Sequence, residues 1–125
     1  MKDIWLESAF EDILKAEKKL NMGDYKSVCI LSRISATKSL YAALQNVEND
    51  FKYVDDLQEL FRKLKQHDND FEDLTYDVEF LSRFVLYEDI VTPYVVDKWL
   101  GLPTEDEAKR ALNIAKTLFE RIKSL

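Results

Sequence analysis

Apolar residues recur in steps of three and four along most of this chain. Leu6, Ala9, Ile13, Ala16 and Leu20 predict a helix from Asp3 to Asn21, with Trp5 and Phe10 widening its apolar face. Asn21-Met22-Gly23 predicts the stop, because glycine takes the left-handed conformation that ends helices. Asp24 can then cap the next helix through its side-chain oxygen. From Gly23 to Val47 the chain is nearly uncharged, with only Arg33 and Lys38 beyond Ser27. Tyr25, Val28, Cys29, Ser32, Ala36, Leu40, Ala43, Leu44 and Val47 form one stripe at helical spacing, and Ile30, Ile34 and Tyr41 form a second. A helix apolar on two sides needs two sets of neighbours, so this segment predicts the buried centre of the fold.

Beyond it, Glu48 to Lys52 reads as a polar loop, and Leu57, Leu60, Phe61 and Leu64 predict a short amphipathic helix from about Val54 to Gln66. A polar break at His67-Asp68-Asn69-Asp70 precedes a fourth helix marked by Phe71, Leu74, Val78, Leu81 and Val85, with Phe80, Phe84 and Tyr87 as a second strip. Glu88 to Pro103 is irregular, aromatic and apolar, and predicts a connection packed on the bundle. Thr104-Glu105-Asp106-Glu107 is a capping box that opens the last helix, whose stripe runs through Ala108, Ala111, Leu112, Ala115, Leu118, Phe119, Ile122 and Leu125. The predicted fold is all-α, an antiparallel up-and-down bundle of four to five helices in a single domain over residues 1–125.

Composition supports this reading. The 125 residues include only two glycines and two prolines, too few for hairpins or Gly-rich phosphate loops. The single cysteine, Cys29, excludes an internal disulfide and any Cys-x-x-Cys site, which points to a reducing, cytoplasmic setting. No run approaches a membrane span, and no export signal opens the chain. A net charge of −6 argues against nonspecific nucleic-acid binding, which draws on lysine and arginine against phosphates. Six acids and no base lie between Asp68 and Glu79, but without the Asp-x-Asp-x-Asp-Gly spacing of a calcium loop. They read as a solvated face. With one histidine, a histidine pair for a metal is excluded as well, and neither metal nor cofactor is expected.

Trp5, Ala9, Asp12, Lys15 and Ala16, followed by Gly23-Asp24-Tyr25, Cys29, Ala36, Lys38, Leu40 and Ala42, resemble the HEPN family, the higher eukaryotes and prokaryotes nucleotide-binding domain. The resemblance covers nearly the whole chain. It implies a helical bundle akin to the substrate-binding helical domain of nucleotidyltransferases, usually as a homodimer. Small members are often encoded beside a minimal nucleotidyltransferase in toxin–antitoxin-like pairs, and another branch contains metal-independent ribonuclease toxins. Where members commonly carry Gln-Ala-Ala-Glu-Lys, this chain has Ile34-Ser35-Ala36-Thr37-Lys38, which keeps only the lysine of the polar set. Asp55-Asp56-Leu57 replaces a common His-Asp-Leu, and Pro93-Tyr94-Val95 stands nearest to a common Arg-Tyr-Pro.

Three functional readings follow. In the first, the protein is a non-catalytic accessory module partnering a minimal nucleotidyltransferase. Arg33, Lys38, Tyr41 and Tyr94 are then candidates for a nucleotide or phosphate contact, and Ile30, Ile34 and Tyr41 for a homodimer face. In the second, Arg62 and His67 match the Arg-x4–6-His spacing of the nuclease branch, in which histidine moves protons and arginine steadies phosphate charge across a dimer. The third keeps a purely structural dimeric bundle. The net acidity and the missing polar motif residues favour the first and third.

Overall fold

Gly23 sits at φ 76°, where an L side chain would be strained, and there the chain reverses between its two longest helices. The computed structural model describes residues 2–47, 56–84 and 103–125. Helix α1 (Lys2–Asn21) closes with the Asp24 N–H donating to the Lys19 carbonyl at 3.0 Å and the Gly23 N–H to that of Leu20 at 3.1 Å. This is the paired pattern of a glycine-terminated helix. Helix α2 (Tyr25–Val47) starts at Asp24, whose carboxylate accepts from the Ser27 N–H at 3.2 Å and the Ser27 hydroxyl at 2.8 Å. Those bonds, the hydroxyl's first, hold the Asp24 carboxyl below its usual pKa. The hairpin and its cap are as expected.

Helix α2 is the centre of the bundle. It packs along α1 and along the final helix α5 (Glu105–Lys123), and also touches α3 (Leu57–His67) and α4 (Thr75–Leu81). Val28, Cys29, Ala36, Leu40, Ala42 and Leu44 are wholly inaccessible, whereas Val47, at the end of the predicted stripe, is exposed. The small buried side chains Ala36, Ala42 and Ala43 on α2, with Ala108, Ala111 and Ala115 on α5, allow helix axes to approach closely.

The shorter elements depart from the periodicity. Helix α3 begins at Leu57, not Val54, because Asp56 is its N-cap in extended conformation and accepts from the Glu59 N–H at 3.2 Å. It continues through His67, one residue beyond the expected end. The predicted fourth helix is two elements, a 3-10 helix over Asn69–Leu74 and then α4. Short polar side chains cause the difference by competing for local backbone bonds. The Asp68 carboxylate accepts from the Asp70 N–H at 2.9 Å, and the Thr75 hydroxyl donates to the Glu72 carbonyl at 2.8 Å. Phe71, Leu74, Val78, Phe80, Leu81 and Phe84 are nevertheless all buried. Val85, Tyr87 and most of the Glu88 to Pro103 connection lie outside the described residues, as does the Glu48 to Lys52 loop.

Helix α5 carries the predicted capping box in full. The Thr104 hydroxyl accepts from the Glu107 N–H at 3.1 Å, and the Glu107 carboxylate accepts from the Thr104 N–H at 2.9 Å. Near its other end, Arg121 clasps the Asp73 carboxylate with two bonds of 2.8 and 2.7 Å, tying α5 to the 3-10 helix. No helix among the described residues is long and apolar enough to cross a membrane.

Candidate functional site

The seam between α1 and α2 gathers the polar residues of the central helix. The Lys38 ammonium donates to the Ser8 hydroxyl at 2.7 Å and stands 2.8 Å from Oδ2 of Asp12. The Asp12 side chain keeps only 8% of its exposure and that of Lys38 23%, so this is a largely desolvated pair held from two helices. One turn earlier on α2, the Ser35 hydroxyl donates to the Ala9 carbonyl at 2.8 Å, a buried bond between the helices. One turn later, Tyr41 meets Trp5 edge-on with ring centroids 4.5 Å apart. Ser35, Lys38 and Tyr41 advance along α2 as Ala9, Ser8 and Trp5 recede along α1, as antiparallel helices require, with Asp12 meeting Lys38 from the turn beyond Ser8. The sequence singles out Lys38 and Tyr41 as site candidates, whereas Asp12 enters only through the family resemblance and Ser8 not at all. The available signal is Asp12 itself, an acid beside the apolar positions Ile13 and Ala16.

Of the other predicted phosphate contacts, Arg33 does not join this seam. Arg33 is buried, but it precedes Lys38 by five residues, which turns the two side chains about 140° apart around the helix. Tyr94 lies outside the described residues. Of the predicted dimer face, Ile30 and Ile34 are half-buried, and Tyr41 is buried. Cys29 is inaccessible, and burial, with the Glu107 carboxylate adding to it, pushes its thiol up to about 12. A thiol in that state is not a nucleophile.

Arg62 and His67, the nuclease candidates, lie on α3, where both are exposed. They too are five residues apart and turned about 140° from one another, so one chain presents them on different sides of the helix, and the pairing expected of them is between two subunits. The Arg62 guanidinium is engaged in two bonds to the Glu59 carboxylate, one of them at 3.1 Å. It lines a polar groove of about 370 Å³ between α3 and α4, together with Glu59, Lys65, Thr75 and Glu79. Lys65 in that groove donates to the Thr75 hydroxyl at 3.2 Å. Acids and bases alternate there, and His67 is not part of the lining. Among the described residues no three histidine, cysteine or acidic side chains come close enough together to hold a metal ion.

A second groove, of about 330 Å³, runs between α1 and α5 and is floored by Leu6, Phe10 and Phe119. Phe10 stacks on Phe119 at 5.5 Å, and Glu7, Glu120 and Lys123 form the rim. This groove and the α1 surface beside it carry the exposed apolar side chains of that helix.

Against known proteins, the model of the HEPN domain matches residues 3–125. Among solved structures, the chain is similar to the crystal structure of TT1696 from Thermus thermophilus, with a TM-score of 0.78 and 21% identity. The match covers 98% of this chain and 96% of that one. At that identity the likeness concerns the fold. No curated protein matches the chain.

Proposed function

We propose, for a chain that belongs to the HEPN domain family, that it acts as a non-catalytic accessory module. In this reading it self-associates and serves a separate minimal nucleotidyltransferase in the cytoplasm, as one half of a toxin–antitoxin-like pair. The observation that carries this reading is the use made of Lys38. It is the one cation kept from the polar set that relatives place in the second helix, and Asp12 and Ser8 engage it inside the bundle. A cation matched by a nearly buried carboxylate adds little net field for a phosphate. In this reading Lys38 serves the packing of α1 on α2 rather than a nucleotide contact.

The test is to look for a minimal nucleotidyltransferase gene beside this one and to reconstitute the pair by co-expression and size-exclusion chromatography; an isolated gene would weaken the accessory reading. Co-elution as one complex is expected, and separate elution at micromolar concentration would reject the accessory reading. Purified protein is expected to leave RNA intact, wild type and His67→Ala alike. Cleavage by the wild type that His67→Ala abolishes would put the nuclease reading in its place.

A further inference from the structure

The outer face of α1, turned away from α2, carries unmatched features of two kinds. Three large apolar side chains stand out from the helix, Ile4 at 63% exposure and Phe10 and Leu14 at 45% each, and Met22 just past its end is 71% exposed. Glu7, Glu11, Lys15 and Lys18 are also exposed, and none of the four has an ion pair or hydrogen bond among the described residues. At 100° per residue these positions fall within an arc of about 140°. Within one chain Glu7 and Glu11, four apart, repel, as do Lys15 and Lys18, three apart, and only Glu11 with Lys15 stands at an attractive spacing. The helix dipole favours acids first and bases last, but it gives no reason for apolar side chains to stand among them.

We infer that this face is an isologous interface with a second copy of the chain, two α1 helices crossing antiparallel near residues 12 and 13. The inference rests on the self-association proposed above and names its surface. The argument is one of symmetry. In an antiparallel pair related by a two-fold axis, each residue faces one whose number places the midpoint on the axis. Glu7 with Lys18 has its midpoint at 12.5, Glu11 with Lys15 at 13, Phe10 with Leu14 at 12 and Ile4 with Met22 at 13. The four midpoints agree within one residue, about 1.5 Å of helix rise. One axis therefore matches every acid with a base and every exposed apolar side chain with another. The α1/α5 groove extends the surface, since Phe10 and Glu7 belong to both.

The test is a charge swap on the full chain, with the dimer dissociation constant measured by sedimentation equilibrium. Glu7→Lys alone and Lys18→Glu alone each replace two attractions across the axis with two repulsions. Each should weaken the dimer about tenfold. The double variant restores opposite charges at both places and should bind within about threefold of wild type. Leu14→Ser, which leaves the charges alone, should weaken it as well. Circular dichroism melts identify any variant that fails to fold, and at these exposed positions all should melt near wild type. A dimer indifferent to the single changes, or one that the swap does not restore, overturns this interface and leaves self-association through another face, such as Ile30 and Ile34. A wild type that stays monomeric at hundreds of micromolar overturns the interface and self-association together.

Discussion

Asp12 would lose its cation in Lys38→Ala, which strands its carboxylate at 8% exposure. Breaking a buried pair costs about 3–5 kcal/mol, and the partial exposure of Lys38 lowers the expectation here to about 2 kcal/mol. Asp12→Leu combined with Lys38→Met should recover most of that loss in urea denaturation, since two apolar side chains need no mutual charge. A phosphate-binding lysine would behave otherwise, with its removal sparing stability and abolishing ligand binding. Cys29 gives a second check at this scale. Its thiol pKa is raised from 9.0 to about 12, so the folded state holds its proton where the unfolded state releases it. That contribution to stability is complete below pH 9 and is lost progressively as pH rises toward 12. Native protein at pH 8 should resist a disulfide reagent for hours and react at once in denaturant. Of these residues, Lys38 is conspicuous in the sequence as a cation in an uncharged stretch. Asp12 is not legible there as its partner, because periodicity orders one helix at a time and the pair joins two.

At the scale of elements, legibility follows the source of each helix's stability. Helices α1, α2 and α5 are long, their stripes span several turns, and their ends carry caps readable in the sequence. Thr104→Ala should cost about 1 kcal/mol in thermal melts, because it leaves an N–H at the start of α5 without its acceptor. Glu107→Ala should cost less, removing only the return bond to the Thr104 N–H. The region from Asn69 to Leu81 misleads because apolar spacing of three and four suits both α and 3-10 winding over one turn. Local side-chain bonds at Asp68 and Thr75 decide between them. Within one chain the two candidate site pairs share one geometry. Arg33 with Lys38 and Arg62 with His67 are each five residues apart, near in sequence yet on different sides of a helix, whereas neighbours on one face are three or four apart.

Across the whole molecule, the burial of α2 is the constraint on which the other helices depend, and it can be tested without reference to function. Ala36 is wholly inaccessible in the middle of α2, as are Ala108, Ala111 and Ala115 on α5. A leucine at position 36 would have to displace neighbours on a helix that packs against α1, α3 and α5. Overpacking of this kind costs typically about 1–3 kcal/mol, and Ala36→Leu should lie at the upper end because little around it is exposed enough to yield. Ile34→Ser is the contrast on the same helix. Ile34 is half-buried, so its replacement gives up part of one apolar side chain's transfer energy, roughly 1 kcal/mol, without forcing helices apart. Urea midpoints should therefore fall further for adding a large apolar side chain at 36 than for removing one at 34. The reverse order would mean that α2 is a peripheral helix with one packed face, and the two-sided pattern of its sequence would need another explanation.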